Sequence, residues 1–198
     1  LWTSPISFVA SANCGLYCGA SVDFVDVDPD TALMSVNALE SKLEQAKQQG
    51  KLPKIVIPVH LAGQSCDMKA ISKLGEKYNF RIIEDAAHAI GASYLNKNVG
   101  SCQYSDITVF SFHPVKVITT GEGGAALTNN LEVAKKMQLL RSHGITRDSK
   151  EMTNSIVSDW YYEQISLGFN YRMTDFQAAL GISQLSRLDE YVAKRSKI

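Results

Sequence analysis

Short apolar, β-branched runs alternate with stretches of helical spacing through the first half of the chain, and that alternation narrows the fold more than any other feature. Pro5 starts a predicted helix with Phe8, Ala12 and Leu16 on one face, and Val22 to Val27 follows as a strand closed by Asp28-Pro29-Asp30. Ser35 caps a helix running to about Gln49, with Gly50 as its stop, and Ile55 to Val59 is the next strand. Asp67 caps a third helix through Leu74 and Tyr78, and Arg81 to Glu84 is the strand that ends on Asp85. This order predicts an α/β domain, a mostly parallel sheet with helices on both faces and ligands beyond the carboxyl ends of the strands. Asp85 falls at such an end.

Farther along, Ala92 to Val99 reads as a short hairpin around Asn96-Lys97-Asn98, Ile107 to Phe112 as a strand, and Ala125 to Thr128 as another after the turn Gly121-Glu122-Gly123-Gly124. Leu131 to Ser142 is a predicted helix with Val133, Met137 and Leu140 on its apolar side, and the polar, aromatic-bearing stretch Thr146 to Gln164 is expected to be a long surface loop. Thr174 or Asp175 caps the final helix, in which Phe176, Leu180, Leu185 and Leu188 make the expected buried stripe. No repeat, low-complexity tract or linker divides the chain, so one domain is expected over residues 1–198. The chain opens without methionine and ends in a basic helical run with no stop signal, which predicts an internal fragment.

Twenty basic and twenty acidic residues cancel, so no global field recruits nucleic acid or an anionic membrane, and an anionic ligand must be caught locally. No stretch is long and apolar enough to span a bilayer and none resembles a signal peptide, which makes a cytoplasmic enzyme the default. Cys14, Cys18, Cys66 and Cys102 lack paired CxxC spacing and are read as reduced thiols rather than metal ligands.

The chemistry concentrates near Lys116, in Ser111-Phe112-His113-Pro114-Val115-Lys116, between the strand at Ile107 and the glycine-dense turn. A loop lysine is ordinarily solvated, but one held where strand ends meet can form a Schiff base with an aldehyde. A carboxylate at a neighbouring strand end, Asp85, can keep a pyridinium nitrogen protonated, and the pair suggests pyridoxal phosphate. His88 can contact the cofactor ring or its hydroxyl, or be a satisfied structural histidine. Ser111 offers a hydroxyl and a backbone N–H to a phosphate, Asn170 is a second candidate, and Phe8 can lie flat on the ring. The glycine turn lacks GxGxxG spacing and its strand–loop–helix setting, so it is read as a tight turn and not as a dinucleotide site.

Five segments in order, Thr3-Ser4-Pro5-Ile6-Ser7-Phe8-Val9-Ala10, Pro58-Val59-His60-Leu61-Ala62-Gly63-Gln64, Glu84-Asp85-Ala86-Ala87-His88-Ala89, Ser111 to Lys116, and Gly168-Phe169-Asn170-Tyr171-Arg172-Met173-Thr174-Asp175, resemble those of the fold-type-I pyridoxal-phosphate sugar aminotransferases. The likeness implies the three-layer α/β large domain of the aspartate-aminotransferase-like transferases, lacking an upstream glycine-threonine phosphate loop and a small C-terminal domain. It implies that Lys116 carries the cofactor and shuttles protons, Asp85 partners the pyridinium, Phe8 stacks, His88 contacts the ring and Ser111 holds the phosphate. Asn170 would reach the phosphate in a neighbouring subunit, making a homodimer with shared active sites.

Tyr104-Ser105-Asp106, Thr119-Thr120-Gly121-Glu122-Gly123-Gly124, Arg141 to Asp148 and Trp160-Tyr161-Tyr162-Glu163 are similar to the pseudaminic-acid branch. That branch implies amino transfer from L-glutamate to a UDP-linked 4-keto-6-deoxy sugar. A GDP- or dTDP-linked ketone, a non-transaminating relative or regulatory binder, and a purely structural protein are the competing readings. Lysine at position 116 argues against dehydratases that carry histidine there.

Overall fold

In the computed structural model, which describes residues 1–154 and 158–198, two expected helix starts are secured by side-chain caps. Ser35 Oγ accepts the Ala38 N–H at 3.2 Å to open a helix over Val36–Gln48, and Asp67 Oδ1 accepts the Ala70 N–H at 3.2 Å to open one over Met68–Tyr78. Asn79 closes the latter in the left-handed conformation, φ 57°. The strands and helices, in chain order, are β1 (Trp2–Thr3), α1 (Ala10–Tyr17), β2 (Asp23–Phe24), α2 (Val36–Gln48), β3 (Ile55–Ile57), α3 (Met68–Tyr78), β4 (Arg81–Asp85), β5 (Ser93–Tyr94), β6 (Lys97–Asn98), β7 (Ile107–Ser111), β8 (Gly124–Leu127), α4 (Leu131–Arg141), β9 (Ile145–Thr146), β10 (Glu163–Gln164), α5 (Asp175–Leu185) and α6 (Leu188–Arg195).

A central six-stranded sheet has the order β2-β1-β3-β4-β7-β8. Its pairings are parallel except for the last, where β8 runs back along β7 with Ser111 opposite Gly124. The mostly parallel α/β sheet is therefore as expected. One face carries the main core: Leu39 and Leu43 of α2, Ile71 of α3, and Val56 and Ile82 of the sheet are all buried in one cluster with Trp2 and Phe80. On the opposite face α1 lies over the strand ends, and the cover is thinner there; Val109 of β7 is 39% exposed while its neighbours Thr108 and Phe110 are buried.

Several local expectations change. The first helix begins at Ala10 rather than Pro5, and its buried positions are Ser11 and Gly15, whereas Phe8 and Leu16 are exposed. Small residues are needed there, because a Cβ on Gly15 would lie 3.1 Å from the Val22 side chain and 3.3 Å from Leu1. The hairpin turns one residue pair earlier than expected: Leu95 and Asn96 take positive φ, 48° and 61°, and Lys97 and Asn98 pair back with Tyr94 and Ser93.

The stretch expected as one long loop has its ends zipped, with β9 and β10 antiparallel and Glu163 accepting from Thr153, Asn154 and Tyr161. Residues 155–157 of that stretch lie outside the described residues. Thr174 caps α5 through a reciprocal box with Gln177, but the expected buried stripe is exposed: Phe176 is 92% and Leu185 53% exposed. No described element lies over Phe176, and the helix breaks at Ser186-Arg187 so that Leu188 belongs to α6, against Gly91.

Leu43 is fully buried between α2 and the sheet. Leu43→Ala should lower the unfolding free energy by about 2–5 kcal/mol in denaturant titration; a loss under about 1 kcal/mol would mean that the α2–α3 face is not the stabilising core.

Candidate active site

Successive residues of a strand face opposite ways, and β4 uses this to separate two adjacent carboxylates. Glu84 points into the covered face, only 5% exposed, while Asp85 points toward α1. Glu84 Oε1 accepts from the hydroxyls of Thr108, at 2.8 Å, and Ser105, and Oε2 meets His60 Nε2 at 2.7 Å. His60 Nδ1 accepts the Cys66 N–H at 3.2 Å, so the neutral ring carries its proton on Nε2 and donates it to the carboxylate. Burial pushes the Glu84 carboxyl up, but the hydrogen bonds from His60, Ser105 and Thr108 outweigh it and hold the carboxyl below its ordinary value of 4.5.

Behind Asp85 the backbone is fully engaged. Asp85 N–H donates to Pro58 O at 2.9 Å, Asp85 O accepts from His60 N–H at 2.9 Å, and Ala86 N–H donates to Val109 O at 2.9 Å. The Asp85 side chain accepts the Ser11 hydroxyl on Oδ2 at 2.5 Å and the Ala87 N–H on Oδ1 at 3.1 Å. His88 follows on the same turn and accepts the Ala62 N–H on Nδ1 at 3.3 Å, which leaves Nε2 as its proton-bearing nitrogen when neutral. Its pKa is lowered, first by burial and then by the positive charge of Lys116, with Asp85 opposing. His88 thus lies within electrostatic reach of both residues expected to bracket a cofactor.

Lys116 sits on a loop whose two ends meet at Phe112. Phe112 N–H donates to Gly123 O at 2.8 Å, and Phe112 O accepts from Thr120 N–H and from the Thr119 hydroxyl, each at 3.0 Å. A side chain on Gly124 would come within 2.6 Å of Phe110 O, so glycine is required where β8 passes β7. Within the loop Lys116 N–H donates to His113 O at 3.0 Å, and Arg195 of α6 reaches Lys116 O at 3.4 Å. The Lys116 side chain is half-buried and, among the described residues, pairs with no carboxylate.

Ser111 ends β7 at the root of this loop, its hydroxyl accepting the His113 N–H at 3.3 Å. Phe8 stands just before α1, three residues ahead of Ser11, with its ring 76% exposed rather than packed in the core. The structure places Asp85 and His88 at the carboxyl end of β4 and Lys116 on the loop that follows β7, the parallel partner of β4, with Phe8 and Ser111 on adjoining segments. Asn170 is placed elsewhere: it is exposed, bridges Ser142, and its neighbours Phe169 and Tyr171 donate to Leu140 O and Arg141 O at the end of α4. No described hydrogen bond joins it to the other five residues. Ser11 and the Glu84–His60 pair were not among the expected site residues. The adjacency Glu84-Asp85 was the available signal, since on a strand it demands one buried and one site-facing carboxylate.

The model of the DegT/DnrJ/EryC1/StrS aminotransferase family matches residues 1–198. The chain belongs to this family. It is 44% identical over 198 residues to the UDP-4-amino-4,6-dideoxy-N-acetyl-beta-L-altrosamine transaminase of Campylobacter jejuni, covering 99% of this chain and 48% of that protein. It is 42% identical over 193 residues to the GDP-perosamine synthase of Caulobacter vibrioides, covering 98% and 47%. The structure superimposes with a TM-score of 0.82 and 36% identity on the Helicobacter pylori aminotransferase involved in the biosynthesis of pseudoaminic acid, covering 95% of this chain and 46% of that one. The chain spans about half the length of the curated relatives it matches, 48% in the Campylobacter case. No helix among the described residues is long and apolar enough to cross a membrane, and among them no cluster of three or more His, Cys, Asp or Glu side chains could hold a metal ion.

Because Glu84 has a lowered folded pKa, its contribution to stability is present above the unfolded value and is lost as the pH falls through the folded value. Glu84→Gln should lower stability by about 1–3 kcal/mol at pH 7. It should also flatten the acid limb of a stability-versus-pH curve measured by urea unfolding; an unchanged acid limb would show that the carboxylate is not held charged.

Proposed function

We propose that the protein is a pyridoxal-phosphate-dependent transaminase that moves an amino group from L-glutamate to C4 of a UDP-linked 4-keto-6-deoxy-N-acetylhexosamine, the step used in making pseudaminic acid for surface polysaccharide or flagellin glycosylation. The observation that carries this reading is the placing of Asp85 and His88 at the end of β4 and of Lys116 on the loop after its parallel neighbour β7, in a chain of this family. The donor set fits the cofactor: an amine that pairs with no carboxylate among the described residues, a carboxylate at the end of the neighbouring strand, a hydroxyl at a strand end and an exposed aromatic ring. When bound, pyridoxal phosphate supplies an electron sink for the substrate carbon that loses its proton.

Each residue then has a defined task. Lys116 Nζ would hold the cofactor and, as a neutral amine, would accept the proton lost by the donor's α-carbon. Asp85 keeps a proton on the ring nitrogen by presenting negative charge to it. His88 would offer its Nε2–H to the ring side, Ser111 would offer its hydroxyl to the phosphate and Phe8 would cover one face of the ring. Asn170 lies on an exposed edge, which supports its acting on the phosphate of a second subunit in a homodimer rather than in its own. In this reading residues 1–198 are the cofactor-binding large domain, and a nucleotide-sugar substrate places the reaction in the cytoplasm.

A GDP-linked ketone is the second reading, favoured by an identity to the GDP-perosamine synthase of 42%, close to the 44% for the UDP-sugar transaminase. Titrated with pyridoxal phosphate, the full-length protein should develop a visible absorption band that L-glutamate bleaches, and Lys116→Ala should show neither change. Identical spectra for the two proteins would end the enzyme reading. In a panel of UDP-, GDP- and dTDP-linked 4-keto sugars the UDP sugar should have the highest kcat/KM; a preference of tenfold or more for the GDP sugar would install the second reading.

A further inference from the structure

We propose that Ser7 and Ser11 form a hydroxyl relay that sets the orientation of the Asp85 carboxylate toward the cofactor ring, which makes Ser11 a positioning residue of this site. The inference rests on the cofactor reading above. Ser11 is 6% exposed, and its Oγ lies 2.5 Å from Asp85 Oδ2. Its Oγ is also 3.2 Å from Ser7 Oγ. A serine hydroxyl has one proton to donate. The Ser11 hydroxyl donates to Asp85 Oδ2, so its one proton is spent there, and the Ser7 proton must then go to Ser11. The direction of the relay is fixed as Ser7 to Ser11 to Asp85.

The geometry leaves the carboxylate little freedom. Its backbone N–H and C=O are both engaged, by Pro58 O and His60 N–H of the segment continuing β3, and Oδ1 is occupied by the Ala87 N–H. Ser11 is the one side chain among the described residues that donates to Asp85, so it fixes the remaining rotation about the bond to the carboxyl group. Ser7 immediately precedes Phe8, so the relay also ties the segment bearing the exposed ring to the carboxylate. A carboxylate turned by a few tens of degrees would direct its lone pairs away from the ring nitrogen, and the proton there would be less well held. Charge-assisted hydrogen bonds of this kind are the stronger ones, which is why one hydroxyl suffices.

The test compares wild type, Ser11→Ala and Ser11→Thr in the full-length protein. Pyridoxal phosphate carrying 15N in its ring should bind Ser11→Ala about tenfold more weakly than wild type. The 15N resonance of the ring should move toward its unprotonated position, and Ser11→Thr should restore both values. Equal affinity and an unmoved resonance in Ser11→Ala would overturn the proposal. So would failure of Ser11→Thr together with a lowered melting temperature in both variants, because that pattern belongs to packing. A crystal structure of cofactor-free Ser11→Ala decides the matter independently of the cofactor reading: a rotated Asp85 carboxylate supports the relay and an unmoved one overturns it. Absence of pyridoxal phosphate binding in wild type with a rotated carboxylate in the variant would overturn the functional reading alone.

Discussion

Everything in the site depends on how β4 is held between β3 and β7. Parallel neighbours on both sides take up the backbone groups of Asp85 and Ala86, so the strand end cannot fray as an edge strand would. Glu84 adds a second restraint beneath it. A buried carboxylate is expensive to desolvate, and its partners from three other segments, His60, Ser105 and Thr108, offset that cost only in one arrangement. A buried carboxylate of this kind is poor evidence for extra stability, and what its partners fix is the position of the strand beneath the site. The same strand therefore carries one carboxylate that fixes geometry and one that is available for chemistry.

Lys116 is held by a different principle. Its loop is closed at Phe112 by both the N–H and the carbonyl, so the loop's ends are fixed while its tip is tied by a single short turn and by Arg195. In the proposed reaction a residue that releases a cofactor and returns to it would be served by such fixed loop ends. Asp85, which never leaves the ring in the proposed reaction, sits instead on the stiffest part of the sheet. The division agrees with the general rule that chemical groups on loops are aimed by a rigid scaffold.

What was legible in the sequence was mostly local. Ser35 and Asp67 cap their helices because capping needs only a side-chain oxygen and a backbone three residues on. The strands through Ile55, Arg81 and Ile107 were readable from their apolar runs, and Asp85 from its place at a strand end. Properties set by distant neighbours were not. The buried face of α1 is set by distant partners, Leu1 and Val22 against Gly15 and Asp85 against Ser11, while Leu16 faces outward. The turn at Leu95-Asn96 puts a leucine at positive φ, which no local preference suggests. Ser11 escaped notice because its value lies in a contact with a residue 74 positions away.

The exposed stripe on α5 shows the limit of periodicity most clearly. Phe176 and Leu180, four positions apart, have the spacing of one helix face, yet both are exposed, at 92% and 40%. Spacing states that a face is apolar; it does not state what covers it. Next to this helix, Phe169 and Tyr171 stack with centroids 4.9 Å apart, and Tyr171 is 72% exposed, on the segment that presents Asn170 outward. Large apolar side chains gathered in this way are uncommon on a free surface and common where another surface is met. In the proposed homodimer the two facts have one explanation: the surface that lacks cover in a single chain is the surface that would deliver Asn170 to a neighbouring cofactor site. A chain whose apolar stripe and phosphate ligand both face away from its own core would then be active only when paired.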